Sequence, residues 1–346
     1  MTGGTLAIRP RALGDVVLVT PALRALARGS RGAGLEVVTE RRYAPLLEGL
    51  EGVSRVWPME RTWGATLTLI GALRRRRFER AVDFFGNPRT ATIAAWCGAR
   101  LTAGYDLRGR RAAYRVRVPR ELPLPGGRRE HAAAVHLRLA VAAGGVADGL
   151  EARVAVSEPA RAEAARLLAE VGVPDAGRAV GLVAAGTWPT KTWPLSHAVV
   201  LARRMLAARH PVVAILGPGE ERMGADLETL APGVAALPPC DVGVLAAVIE
   251  RLAAVVGTDS GPRHLAAALG VPTFAWFGPT HPDTWNPPGE IHGFVRSDLP
   301  CRGCDRTHCP HWTCMPSLAP EAVSARVLEH IARHGHASAL GTAARA

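Results

Sequence analysis

Four segments of this 346-residue chain set polar, ionisable side chains where an apolar strand gives way to a turn. In the first, RPRALGDVVLVTPAL, Gly14 permits a tight turn and Asp15 stands at the start of a helix. A carboxylate there can take a proton from a hydroxyl nucleophile. It can equally be a plain N-cap, a position that Asp suits. The second, AAGTWPTKTWP, carries Lys191 on a loop stiffened by two prolines and bracketed by two tryptophans. An ammonium there would neutralise phosphate charge, although an exposed loop lysine would read the same way. Composition sharpens the choice, because the chain has 41 Arg and this single Lys. A compact ammonium and a planar guanidinium fork are not interchangeable in a shaped site.

The third segment, LGPGEERMGADL, follows a strand with a glycine-rich turn, and Glu220 and Glu221 open a helix. A carboxylate so placed can accept both hydroxyl hydrogens of a ribose. Acidic residues also favour any helix N-terminus. The fourth runs VVGTDSGPRHLAAALGVPTFAWFGPTHPDTW. Ser260 and Gly261 bring free backbone N–H groups to a helix start, a ready anion site. Asp259 beside them suits sugar hydroxyls more than phosphate, and His264 lies one turn into the helix. Neither a GxGxxG nor a Walker A pattern occurs, so the usual dinucleotide and P-loop readings are excluded. A fifth segment, CRGCDRTHCPHWTCM, holds Cys301, Cys304, Cys309 and Cys314 with two histidines interleaved. That spacing predicts either a structural zinc or iron knuckle or free thiols.

The elements that position these residues alternate short apolar strands with longer helical patterns, the signature of parallel α/β sheets. In the first half, strands at TLAIRP, LEVVT, VSRVWP, RAVDFF and LTAGY are separated by helices at Asp15 to about Arg28, YAPLLEGL, Trp63 to Arg77 and Ala91 to Cys97. A helix from His131 to Ala143 follows. The pattern restarts at AVGLVAAG, and a last helix begins near Pro320. The reading is an N-terminal unit over 1–172, a C-terminal unit over 178–318, a helix over 319–336 and a flexible tail over 337–346. Ligands of such sheets bind at the carboxyl ends of strands, where the four segments lie.

No apolar run reaches the ~18–20 residues of a membrane span, and the N-terminus lacks a signal-peptide stretch. The expected location is the cytoplasm, with peripheral contact at the inner-membrane surface. Charge is uneven: residues 1–130 hold 24 Arg against 11 acidic residues, a net of +13, and the rest nets −1. A basic half fits an anionic partner, and it also fits a merely solvated arginine-rich surface.

In order, LGDVVLVTPAL, WPTKTWP, GPGEE and TDSGPRHLAAALGVPTFAWFGPTHPDTW resemble glycosyltransferase family nine, the ADP-heptose:lipopolysaccharide heptosyltransferases. The resemblance runs over nearly the whole chain, and its fourth segment is the most specific. It implies an α/β chain of GT-B fold, with two Rossmann-like domains whose parallel sheets face each other across a cleft. It implies inverting heptose transfer from ADP-heptose to a lipid-linked or glycan acceptor, without a catalytic metal. By motif, Asp15 resembles the general base and Lys191 the donor-phosphate lysine. Glu220 or Glu221 would hold the ribose, Asp259 the sugar, and Ser260 and Gly261 the phosphates. Many relatives carry two small polar residues before the Leu-Gly-Asp turn. Here they are Arg11 and Ala12; an arginine there could meet an anionic acceptor, to which Arg11 is assigned, or the leaving phosphate. Cysteine clusters occur near the fifth segment in the family, some of them with a four-cysteine iron site. Two alternatives stay open: a GT-B transferase or epimerase using another nucleotide sugar, and a basic nucleotide- or RNA-binding protein. The second is disfavoured by an aromatic content of 5% and the lack of an RNP-like motif, so no nucleic-acid partner is expected.

Overall fold

The computed structural model describes residues 3–30 and 32–335, so the tail assigned to 337–346 lies outside the described residues. The chain divides into two compact units, Met1–Ala155 and Val156–Ala346. The sequence reading set the boundary after residue 172. Helix α6, Glu158–Glu170, instead packs in the second unit, where Arg161 forms an ion pair of 2.8 Å with Glu250 of α9, Val242–Glu250.

The first unit is a six-stranded sheet of β1 (Thr5–Ile8), β2 (Leu35–Glu40), β3 (Val53–Met59), β4 (Arg80–Asp83), β5 (Leu101–Tyr105) and β6 (Val116–Val118). The order is β3-β2-β1-β4-β5-β6, and every pairing is parallel. Leu6, Ile8, Val38, Ala81, Ile70 and Ile93 build a core between this sheet and helices α3 (Trp63–Arg74) and α4 (Pro88–Trp96). Two local expectations change. The helix expected from Asp15 to Arg28 is two helices, α1 (Leu13–Leu18) and α2 (Thr20–Gly29), because Pro21 brings no N–H to a continuous ladder. The stretch read as a helix at YAPLLEGL forms a 3-10 turn over Arg41–Leu46, with Pro45 inside it. Helix α5, Ala132–Ala142, closes the unit as expected.

The second unit repeats this plan. Its strands are β7 (Val180–Val183), β8 (Val212–Ala214), β9 (Val234–Ala236), β10 (Ala254–Thr258), β11 (Thr273–Phe277) and β12 (His292–Arg296). The order is β9-β8-β7-β10-β11-β12, again parallel throughout. Read from the third strand of each unit, both sheets run 3-2-1-4-5-6, the doubly wound order with its reversal between strands 1 and 4. Helices α7 (Leu195–Ala207), α8 (Glu221–Leu230), α10 (Gly261–Ala268), the short α11 (Pro282–Trp285) and α12 (Pro320–His334) complete the unit. Trp193 and Trp276 stack in its core with ring centroids 4.5 Å apart, and the Trp193 indole donates to the Leu318 carbonyl at 3.2 Å. Trp193 lies two residues past Lys191, so this buried ring anchors the loop that carries the ammonium.

Candidate functional site

In the second unit, the ionisable residues gather where the strand order reverses, at the carboxyl ends of β7 and β10. The chain leaves β7, turns through Pro189–Lys191 and is tied to β10 by the Thr258 hydroxyl, which donates to the Lys191 carbonyl at 2.6 Å. Gly186 makes this possible, since a Cβ there would sit 2.8 Å from Cβ of Lys191. The Lys191 Nζ lies 2.9 Å from Oδ2 of Asp259 and donates to its backbone carbonyl at 3.3 Å. It also rides 4.5 Å from the centroid of the Trp188 ring.

Asp259 is the hub. It is 2% exposed, and its Oδ1 faces Nη2 of Arg263 at 3.4 Å and Nε2 of His264 at 3.5 Å. Arg263 is fully buried; its other nitrogen bonds go to the Asn286 amide oxygen at 3.0 Å and the Trp285 carbonyl at 2.5 Å. Burial alone would raise the Asp259 pKa, but the His264 hydrogen bond, Lys191 and Arg263 outweigh it and hold the carboxyl well below the usual carboxylate range. Burial pushes His264 down, with Asp259 opposing, and leaves the ring neutral. The cluster therefore carries two fixed positive charges against one negative. It sits at the N-terminus of α10, where Ser260 is the N-cap residue. The Ser260 hydroxyl and Nδ1 of His264 are buried without a hydrogen-bond partner among the described residues. Net positive charge, a helix N-terminus and unused polar atoms together suit an anion carrying hydroxyl groups.

Glu220 ends the neighbouring loop after β8, and Glu221 opens α8. Each braces that loop: Glu220 accepts from the Gly217 N–H at 2.8 Å and Glu221 from the Gly219 N–H at 3.1 Å. Its own backbone N–H and that of Gly219 lower the Glu221 pKa.

In the first unit, Asp15 is not the N-cap of α1. Ala12 holds that position, and Asp15 is the third helical residue, reaching back to accept from the Ala12 N–H at 3.2 Å. Its other oxygen pairs at 2.5 Å with Nη2 of Arg9, a buried guanidinium that also donates to the Phe84 carbonyl. Asp15 itself is 32% exposed, so one face of the carboxylate remains open. Pro10 and Arg11, between Arg9 and the start of α1, line a pocket of ≈ 370 Å³ together with Glu40, Arg61, Trp63, Asn87 and Arg89. Arg11 and Arg61 share Glu40 as counterion, at 3.8 and 3.1 Å. Three guanidinium groups against one carboxylate make it a basic pocket.

Of the two readings of the cysteine segment, the knuckle is not formed and the cysteines are free thiols. Among the described residues, no group of three or more His, Cys, Asp or Glu is placed to hold a metal ion. Cys301 and Cys304 are exposed, Cys309 accepts from the Trp312 N–H at 3.4 Å, and Cys314 lies against Gly278 beside the core. The Trp312 and His311 backbone N–H groups lower the Cys309 pKa, and burial raises that of Cys314. What the segment does is brace the Lys191 turn: the Thr190 hydroxyl donates to the Arg306 carbonyl at 2.8 Å, and the Trp312 indole to the Thr190 carbonyl at 3.2 Å.

Sequence reasoning overlooked Arg9 and Arg263, the two buried arginines that hold the two carboxylates. The i,i+4 spacing of Asp259 and Arg263 across a strand-to-helix turn was the available signal.

The sequence profile of glycosyltransferase family 9 (heptosyltransferase) matches residues 66–313. Lipopolysaccharide heptosyltransferase 1 of Pseudomonas aeruginosa is 30% identical over 322 residues, 88% of this chain and 87% of that protein. Two solved Escherichia coli structures share the fold. ADP-heptose LPS heptosyltransferase II superposes with a TM-score of 0.77 at 20% identity, over 95% of this chain and 99% of that one. The heptosyltransferase WaaC with ADP gives 0.72 at 21% identity, over 94% and 99%.

Proposed function

Because the chain belongs to glycosyltransferase family 9, with the α/β GT-B architecture of its structural neighbours, we propose that it moves a heptose from ADP-heptose to a lipopolysaccharide-core or related glycan acceptor. The second unit binds the donor and the first binds the acceptor. The observation that carries this reading is the Lys191–Asp259–Arg263–His264 cluster at the start of α10. A sugar diphosphate brings negative charge that the two cations and the helix N-terminus can take up. Asp259 and His264 hold the cations in register and offer polar atoms to sugar hydroxyls. Ser260 and Gly261 supply backbone N–H groups to the phosphates. Glu220 or Glu221 takes the ribose, at the end of the strand next to β7.

The chemistry is direct displacement with inversion. The acceptor oxygen forms a bond to the anomeric carbon, the bond to the diphosphate oxygen breaks, and the electron pair leaves with ADP. Asp15 accepts the acceptor hydroxyl proton, while Arg9 and the Ala12 N–H fix the orientation of its carboxylate. The residues assigned to these steps need no cofactor. Arg11, Arg61 and Arg89 suit an acceptor bearing phosphate or carboxylate groups. A lipid-linked acceptor would place the protein at the cytoplasmic face of the inner membrane. No helix among the described residues is long and apolar enough to cross it.

A thermal-shift series across nucleotide sugars tests the donor assignment. A ligand that binds only the folded state stabilises it by about 2.7 kcal/mol at a hundred times its Kd. ADP-heptose should raise the melting temperature, and ADP-linked hexoses should do so less. A larger shift with a uridine-linked sugar would transfer the reading to a different donor.

A further inference from the structure

The basic half of the chain is not basic uniformly, and one of its faces is also apolar. Helices α3 and α4 run side by side in the same direction. At their N-terminal ends the Arg89 guanidinium lies 5.3 Å from the centroid of the Trp63 ring, and at the other end Arg74 lies against Gly98. Each helix turns one face to the core, with Ile70 and Leu73 from α3 and Ile93 and Ala94 from α4. Their outer faces are not the polar surface expected of a solvated helix. Trp63 is 51% exposed, Leu67 54% and Trp96 56%, three of the largest exposed apolar side chains in the chain. The lower end is ringed by exposed Arg74, Arg75, Arg77 and Arg100, with Glu79 as the acid beside Arg100.

We propose that this outer face of α3 and α4 docks on an anionic lipid bilayer. Exposed indoles with arginines around them match the headgroup layer, where Trp finds an apolar body and a wet edge. Basic side chains next to such residues gain about a fivefold factor each from an anionic leaflet, at ~1 kcal/mol per residue. Three apolar side chains spread along about 16 Å of helix give shallow insertion. The face is also continuous with the acceptor pocket, because Trp63 and Arg89 belong to both. A headgroup lifted from the bilayer therefore meets the pocket at its nearest edge. This inference rests on the reading of the acceptor as lipid-linked.

Flotation of the full chain with vesicles tests it without any acceptor or donor. The unsubstituted chain should float with mixed phosphatidylglycerol–phosphatidylcholine vesicles and stay behind with phosphatidylcholine alone. High salt should release it, since the Debye length shrinks to about 3 Å at 1 M. The double variants Leu67→Glu/Trp96→Glu and Arg74→Glu/Arg75→Glu should each lose at least roughly tenfold in partitioning. None of those four residues lines the pocket. The second pair carries the test if the first melts early. Flotation of both variants at the unsubstituted level would overturn the proposal, as would equal binding to neutral vesicles. A chain that floats as expected but transfers no heptose would instead sink the assigned function and leave the docking face standing.

Discussion

Replacing Asp259 with Asn isolates the charge at the hub of the second unit. The amide keeps the size and much of the hydrogen bonding of the carboxylate, and removes only its charge. Arg263, fully buried, and Lys191, 13% exposed, would then face each other without their shared counterion. Removing one partner of a buried pair costs about 3–5 kcal/mol, because the remaining charge stays desolvated. At about 2–4 °C per kcal/mol for a unit of this size, the melting temperature should fall by roughly 6–20 °C. The cluster's net charge would rise from one positive to two, so added inorganic diphosphate should recover more stability in the variant than in the parent. Scanning calorimetry with and without diphosphate reads both effects. A fall under about 2 °C would refute the claim that Asp259 offsets buried cations. A loss that diphosphate cannot offset would refute the assignment of the cluster as an anion site.

Lys191→Ala should weaken ADP-heptose binding by calorimetry and leave acceptor binding unchanged. Lys191→Arg should not rescue it, since a planar fork does not fit against Trp188 and Asp259 as a point charge does. Acid should destabilise the fold. Burial, reinforced by Arg263 and neighbouring histidines, pulls the His292 pKa down to about 3, against an ordinary value of 6.5. The unfolded chain therefore takes up the proton first, so this contribution is whole above pH ~6.5 and is lost as pH falls toward 3. By pH 5 the loss amounts to about 2 kcal/mol from His292 alone, at 1.36 kcal/mol per pH unit. His136, His264 and His330 shift in the same direction. Melting temperatures that stay level from pH 7 to 5 would contradict this. Arg89→Ala should raise KM for an anionic acceptor more than it lowers kcat, and an unchanged KM would remove Arg89 from the acceptor pocket.

Strand-to-helix alternation was legible because both sheets are parallel and buried, which writes their central strands as apolar runs. Edge strands β6, β9 and β12 were not. β6 and β12 carry polar residues such as Arg117 and His292 that break the pattern, and β9, Val-Ala-Ala, is only three residues long. The placement of Asp259, Ser260 and His264 around one turn followed from spacing alone, since a helix start brings residues i and i+4 to one side. Arg9 was hidden for a different reason. Its partner Asp15 is six residues along the chain, and its burial depends on Phe84, seventy-five residues away. The cysteine spacing left knuckle and free thiols both open, because spacing sets which thiols can meet, and backbone direction decides whether they do. Cys309 turns back onto Trp312, and Cys314 turns toward Gly278.

The central claim is heptose transfer with Asp15 as base, and the most direct test follows transfer from ADP-heptose to a lipid-linked core acceptor by the unsubstituted chain and by Asp15→Asn. An Asn oxygen can still accept from Arg9 or from the Ala12 N–H, so the fold and donor binding should persist. It cannot take the acceptor proton, and general base help typically contributes ~10²–10⁴ in rate. The account predicts transfer by the unsubstituted chain and a kcat reduced by that factor in the variant, at unchanged ADP-heptose affinity. A variant that keeps most of its turnover would contradict it.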